Sequence, residues 1–202
     1  EFGGDLELVE TEAESEPDDQ ITPNKMQSEA LRQLTKLRAE GQRKALIVSA
    51  TGTGKTYLSA FDALSVDAKR LLFVVHRETI AKSALNDFKT IFGERRTYGL
   101  FGGGSADLNA DFVFSTVQTL SREANLKRFS SDAFDYVIVD ESHRAGAESY
   151  KAFLDYFRPK FLLGLTATPE RTDGEDIYRL FDFNLAYEIR LQRALEENML
   201  CP

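Results

Sequence analysis

The sequence predicts an α/β fold, a doubly wound parallel sheet, on three observations. Five short apolar runs, rich in β-branched residues, are nearly continuous in hydrophobicity, as strands are when helices cover both faces of their sheet. Segments with helical spacing lie between those runs, and strand–helix alternation implies right-handed crossovers. The first run ends in a glycine-rich turn, at the carboxyl edge where such sheets hold their ligands.

Residues 1–20 carry nine acids and no base, with few aromatics, and residues 1–21 read as a solvated, disordered linker. Thr22-Pro23 then reads as an N-cap followed by proline at the first helical position. Met26, Ala30, Leu31, Leu34 and Leu37 recur at helical spacing up to Gly41, a natural terminator. Strands are expected at Ala45–Ala50, Arg70–Val75, Asp111–Thr116, Tyr136–Glu141 and Phe161–Ala167. A helix over Glu78–Phe92 gathers Ile80, Ala81, Ala84, Leu85, Phe88, Ile91 and Phe92 into one stripe, and Gly93 stops it. Residues 147–157 and 188–200 show similar helical patterns. The stretch Thr97–Ser105, with Gly99, Gly102, Gly103 and Gly104, reads as a flexible loop beside a short strand.

Composition narrows the function classes. The 202 residues, 42% of them hydrophobic, suffice for one buried core. One Cys excludes a disulfide framework, and His76 and His143 are too few to complete a Cys/His zinc site with it. Apolar runs of about six residues fall far short of the ~20 that span a bilayer. No basic-then-apolar start marks a secretory signal, so a reducing cytoplasmic compartment and no membrane partner are expected. The formal charge of −8 argues against nucleic acid only until it is mapped: beyond residue 20, 24 acids face 25 bases.

The sharpest motif is Ser49-Ala50-Thr51-Gly52-Thr53-Gly54-Lys55-Thr56, between a strand and a helix start. Gly52 and Gly54 allow backbone N–H groups to turn inward around phosphate oxygens, with Thr51 and Thr53 in the same cradle. Lys55 offers a cation to the β- and γ-phosphates and the Thr56 hydroxyl a ligand for Mg²⁺. The strict phosphate-loop pattern wants Gly where this chain has Ser49, which leaves a plain surface turn open. Downstream, Asp140 and Glu141 end the strand that starts at Tyr136, facing the same crevice. Asp140 suits the Mg²⁺ shell and Glu141 the acceptance of a proton from water. A solvated acidic turn is the bland alternative, and the phosphate loop upstream argues against it.

These motifs, with Thr166-Ala167-Thr168-Pro169, occur in the order of motifs I, II and III, and the chain resembles superfamily two helicases and translocases. It is most similar to the DEAD/DEAH-type ATPases related to type I and type III restriction enzymes. Val74–Lys82 resembles their motif Ia, Ser115–Leu120 the Ib region, and Leu163–Thr172 extends the third motif. The resemblance covers about residues 22–202 and implies the first RecA-like domain, a three-layer P-loop NTPase, with the second motor domain lying elsewhere in a parent chain. It implies the ATP-binding half of a nucleic-acid-dependent ATPase, using ATP and Mg²⁺, with DNA a more natural partner than RNA.

Carried over by position, the resemblance makes Gln27 the reader of adenine; a solvent-facing helix glutamine is the alternative. Lys55 and Glu141 are then catalytic, Thr56 and Asp140 hold metal, and His143, Thr166 and Thr168 couple the nucleotide crevice to nucleic acid. Arg77 and Thr116 would grip phosphates of one strand without reading sequence, with Gln118 and Thr119 behind them. Arg77 as an ordinary surface arginine stays open. The second domain would supply an arginine worth about 10³–10⁵ in rate, so this piece alone is expected to bind nucleotide and hydrolyse it slowly. Competing readings are a P-loop switch acting on a protein partner and an idle ATP-binding scaffold. A switch does not call for Asp140–His143 together with Thr166–Thr168, and an idle site would be expected to have lost one of Lys55, Asp140 and Glu141.

Overall fold

The five apolar runs form the centre of a single eight-stranded sheet in the computed structural model, which describes residues 21–142, 148–167 and 177–189. The strands are β1 (Lys44–Ser49), β2 (Leu71–Val75), β3 (Tyr98–Gly102), β4 (Ser105–Ala106), β5 (Phe112–Thr116), β6 (Tyr136–Val139), β7 (Phe161–Thr166) and β8 (Leu185–Ile189). Their order across the sheet is β4-β3-β5-β2-β6-β7-β1-β8, parallel throughout except for β4 against β3. The helices are α1 (Lys25–Ala39), α2 (Lys55–Ser65), α3 (Glu78–Phe92), α4 (Val117–Leu120), α5 (Glu123–Leu126), α6 (Glu148–Tyr156) and α7 (Ile177–Leu180).

Alternation along each strand explains the continuous apolar runs. Leu71, Phe73 and Val75 join Met26, Leu34, Leu58 and Phe88 in one core, while Leu72 and Val74 face Tyr150, Phe153 and Phe181 in the other. With both faces covered, no position in β2 reaches solvent. Among the described residues no helix is long and apolar enough to cross a membrane.

Three expectations need correction. Helix α1 is capped by Asn24 rather than Thr22. The Asn24 side chain accepts the Gln27 N–H and Gln27 Oε1 accepts the Asn24 N–H, each at 2.9 Å. That reciprocal box satisfies two orphan donors where Thr22 would satisfy one. The helix ends as expected: Gly41, at φ +81°, donates to the Arg38 carbonyl while Gln42 donates to that of Leu37. The glycine-rich stretch, read as a flexible loop beside a short strand, does hold a strand, β3, but its loop is a hairpin into β4; β3 pairs in register with β5, whose edge would otherwise lie open. The helix expected over 188–200 begins inside β8, which lies parallel to β1 and covers that edge. The rest of that segment lies outside the described residues, as does the acidic stretch 1–20.

At the amino end of the strands, Asp62 of α2 is fully buried and receives both the Arg38 guanidinium and the Tyr136 hydroxyl. Arg38 also lies 3.9 Å above the Phe161 ring centre. Burial, reinforced by Asp62, drives the Tyr136 phenol well above its usual pKa. A cavity of about 470 Å³ opens beside this cluster, lined by Arg38, Val66, Lys69, Tyr136, Lys160 and Phe161 among others. It sits at the opposite end of the sheet from the sequence motifs.

Candidate functional site

The phosphate-loop motif closes a tight turn between β1 and α2. Gly52 and Gly54 stand at φ +81° and +74°, backbone that other residues adopt only with strain. Two hydroxyls brace the turn from inside: Ser49 Oγ lies 2.6 Å from Thr53 Oγ1, and Thr53 Oγ1 donates to the Ala50 carbonyl at 2.7 Å. Both residues are fully buried. Lys55 Nζ reaches back over the same turn, donating to the carbonyls of Ser49 at 2.8 Å and Ala50 at 2.9 Å. Thr51 and Gly52 are exposed, and Thr56 is half-buried in the first turn of α2.

Sheet order brings the acids to the same crevice. β7 separates β1 from β6, with Val48 paired to Thr166 on one side and Gly164 paired to Val139 on the other. Thr166, fully buried, thus emerges between the loop and the acid pair. Asp140 is anchored by its N–H to the Val74 carbonyl, and its Oδ1 accepts the Glu141 N–H at 3.0 Å. Glu141 takes φ +52°, a left-handed conformation that costs a side-chain-bearing residue of the order of 1–3 kcal/mol.

Electrostatics join the two halves. Burial holds the Lys55 ammonium below its ordinary pKa, while Asp140 and Glu141 push it the other way. Burial, then the neighbouring Glu141, raises the Asp140 carboxyl to about 6, with the Glu141 N–H and Lys55 opposing. The lysine and both acids therefore lie within each other's fields, as the motifs imply.

Other sequence-derived candidates have mixed placements. Gln27 is buried against the loop rather than facing solvent, its Oε1 in the α1 capping box and its Nε2 donating to the Gly54 carbonyl at 3.1 Å. Arg77 is exposed at the N-cap of α3, and its guanidinium has no partner among the described residues. Thr116 caps α4, accepting the Thr119 N–H at 3.3 Å and sharing a 3.0 Å contact with the Thr119 hydroxyl. Val75 pairs with Thr116, so Arg77 and Thr116 leave neighbouring strands at one edge, on the far side of the acids from the loop. His143 and Thr168 lie outside the described residues.

Sequence reasoning missed the Ser49–Thr53 pair and Ser142. Ser142, next to Glu141, is fully buried, and its hydroxyl has no hydrogen-bond partner among the described residues. For Ser49, a polar residue closing an otherwise apolar strand was the available signal; Ser142 follows two acids and offered none.

Comparisons with known proteins point to one family and one fold. A family model described as Type III restriction enzyme, res subunit, matches residues 20–171. The chain is 29% identical over 193 residues to a type I restriction enzyme EcoAI endonuclease subunit of Escherichia coli, across 90% of this chain and 23% of that protein. It is 29% identical over 182 residues to a DNA 3'-5' translocase, XPB2, of Sulfurisphaera tokodaii, across 89% of this chain and 37% of that protein. Among solved structures, a nuclease-deletion mutant of the Type ISP restriction-modification enzyme LlaGI, in complex with a DNA substrate mimic, superposes with a TM-score of 0.66 at 19% identity. That match covers 89% of this chain and 21% of the other. The UvsW helicase of bacteriophage T4 superposes with a TM-score of 0.64 at 20% identity, covering 86% and 61%. At such identities these structures speak for the fold, which is that of a RecA-like helicase domain. The chain spans well under half the length of these curated relatives. Since the family model takes in the phosphate loop, the acid pair and the end of β7, the chain belongs to the family of type III restriction enzyme Res subunits.

Proposed function

We propose that the chain is the ATP-binding half of a nucleic-acid-dependent motor, a helicase or duplex translocase that acts on DNA in preference to RNA in the cytoplasm. The supporting observation is the meeting of Lys55, from the loop after β1, with Asp140 and Glu141 at the end of β6. ATP would lay its phosphates along residues 51–56, and Lys55 would exchange the Ser49 and Ala50 carbonyls for β- and γ-phosphate oxygens. Gln27 would meet the adenine.

The residues present fit Mg²⁺. One carboxylate, one hydroxyl and phosphate oxygens make the donor set this ion favours. Among the described residues no group of three or more His, Cys, Asp or Glu is placed to hold a metal unaided. Asp140 and Thr56 would hold the ion, which when bound spreads the charge developing between the β- and γ-phosphates. Glu141 would orient the attacking water and take its proton.

Arg77 and Thr116 would hold nucleic-acid phosphates, and Thr166, with His143 and Thr168, would link the two ligands across β6 and β7. A second RecA-like domain in the parent protein would close the crevice with an arginine. The decisive experiment measures ATP turnover by the full-length parent protein, with and without single-stranded and duplex DNA and RNA, for the native protein and for Glu141→Gln. DNA should stimulate the native protein, and Glu141→Gln should bind ATP normally while losing about 10²–10⁴ in turnover. Absence of stimulation by every polymer would sink the motor assignment.

A further inference from the structure

The buried hydroxyl pair inside the phosphate loop has a definite direction. A carbonyl oxygen only accepts, so the 2.7 Å contact between Thr53 Oγ1 and the Ala50 carbonyl uses the single Thr53 proton. The 2.6 Å contact between Ser49 and Thr53 must then be donated by Ser49. The result is a relay from Ser49 Oγ–H to Thr53 Oγ1, and from Thr53 Oγ1–H to the Ala50 carbonyl. The relay ends on the oxygen that also receives Lys55 Nζ at 2.9 Å, while the lysine's other bond goes to the carbonyl of Ser49 itself.

We propose that Ser49 and Thr53 are positioning residues for phosphate binding, an internal brace that shapes the loop and stations Lys55 before any nucleotide arrives. The proposal rests on the nucleotide reading given above. Three observations carry it. The relay spans residues 49 to 53, so it closes the turn containing Thr51 and Gly52 from within. Both hydroxyls are fully buried, so water cannot stand in for either. The Ala50 carbonyl takes both the Thr53 hydroxyl and Lys55 Nζ, so the hydroxyl fixes the orientation of the peptide on which the lysine rests. The departure from the strict phosphate-loop pattern, Ser49 in place of glycine, thereby gains a task that glycine has no side chain to perform.

The test is titration of the chain with a fluorescent N-methylanthraniloyl-ADP, with folding of each variant checked by circular dichroism. Thr53→Val keeps the shape and removes the donor; Ser49→Ala removes only the first link; Thr53→Ser keeps the hydroxyl. Thr53→Val and Ser49→Ala should each weaken binding roughly three- to tenfold, as loss of one buried hydrogen bond predicts, while Thr53→Ser stays within about twofold of the native chain. Because the two hydroxyls act in series, the double variant Ser49→Ala/Thr53→Val should bind no more weakly than the worse single one. Native binding with unchanged affinity in Ser49→Ala and Thr53→Val overturns the brace, as does full additivity in the double variant. Failure of the native chain to bind at all overturns the nucleotide reading instead. If Thr53→Val does not fold, the affinity of Ser49→Ala alone decides whether the brace stands.

Discussion

Helix α2 carries a charged residue near each end, Lys55 and Asp62, and the fold treats them in opposite ways. Seven residues apart, they lie on one face of the helix with about 10 Å of rise between them. At the foot, Asp62 meets a guanidinium and a phenol, and the cluster is closed upon itself. At the crevice, Lys55 is held below its usual pKa and Asp140 raised to about 6, both chiefly by burial, with partners too few to offset it. The foot is paired charge that ties α1, α2 and β6 together. The crevice is charge left short of compensation, which is the condition for answering a ligand that brings charge of its own.

The largest test of that contrast is Asp62→Ala. Removing one member of a buried pair should cost about 3–5 kcal/mol, read from urea unfolding, and a loss below about 1 kcal/mol would show that the foot is not the anchor. Lys55→Ala attacks the other end. It should weaken nucleotide binding roughly ten- to a hundredfold in titrations while leaving the unfolding midpoint near that of the native chain. A large stability loss there would erase the distinction between the two ends.

Asp140→Asn sharpens the contrast through pH. A carboxyl raised from 3.8 to about 6 favours folding fully below pH ~4, and that contribution is lost as pH rises through about 6. In metal-free solution the asparagine variant should therefore be more stable than the native chain at neutral pH, by about 2–3 kcal/mol, with the gap closing toward pH ~4. A gap independent of pH would contradict the burial of Asp140. The smallest effect is expected from Ser142→Ala, which removes a buried hydroxyl with no partner among the described residues and should raise stability by about 1 kcal/mol in the same unfolding assay.

Legibility in the sequence followed the length of the physical signal. β1, β2, β5, β6 and β7 were readable because burial on both faces leaves a continuous apolar run, and α3 because Ile80 to Phe92 keeps one stripe. β3 was blurred by Gly99 and Gly102, and β8 by Glu188, which interrupts its apolar run. Such edge strands form because a neighbour offers a ladder, which no local pattern records. At the site, Lys55, Asp140 and Glu141 were legible from motif and spacing, and the sheet order explains why they meet. The bonds made by Gln27, Thr116 and Ser49 were not, since each depends on a partner fixed by the turn around it.

Gln27 gives one side chain two employers: its oxygen finishes the cap of α1 and its nitrogen steadies Gly54. Each bond uses only half of that group's capacity, so one N–H and one oxygen lone pair stay available to a base while both attachments hold. A nucleobase met by this amide would thus find it already held from two sides, with the start of α1 and the phosphate turn fixed to one another through a single side chain.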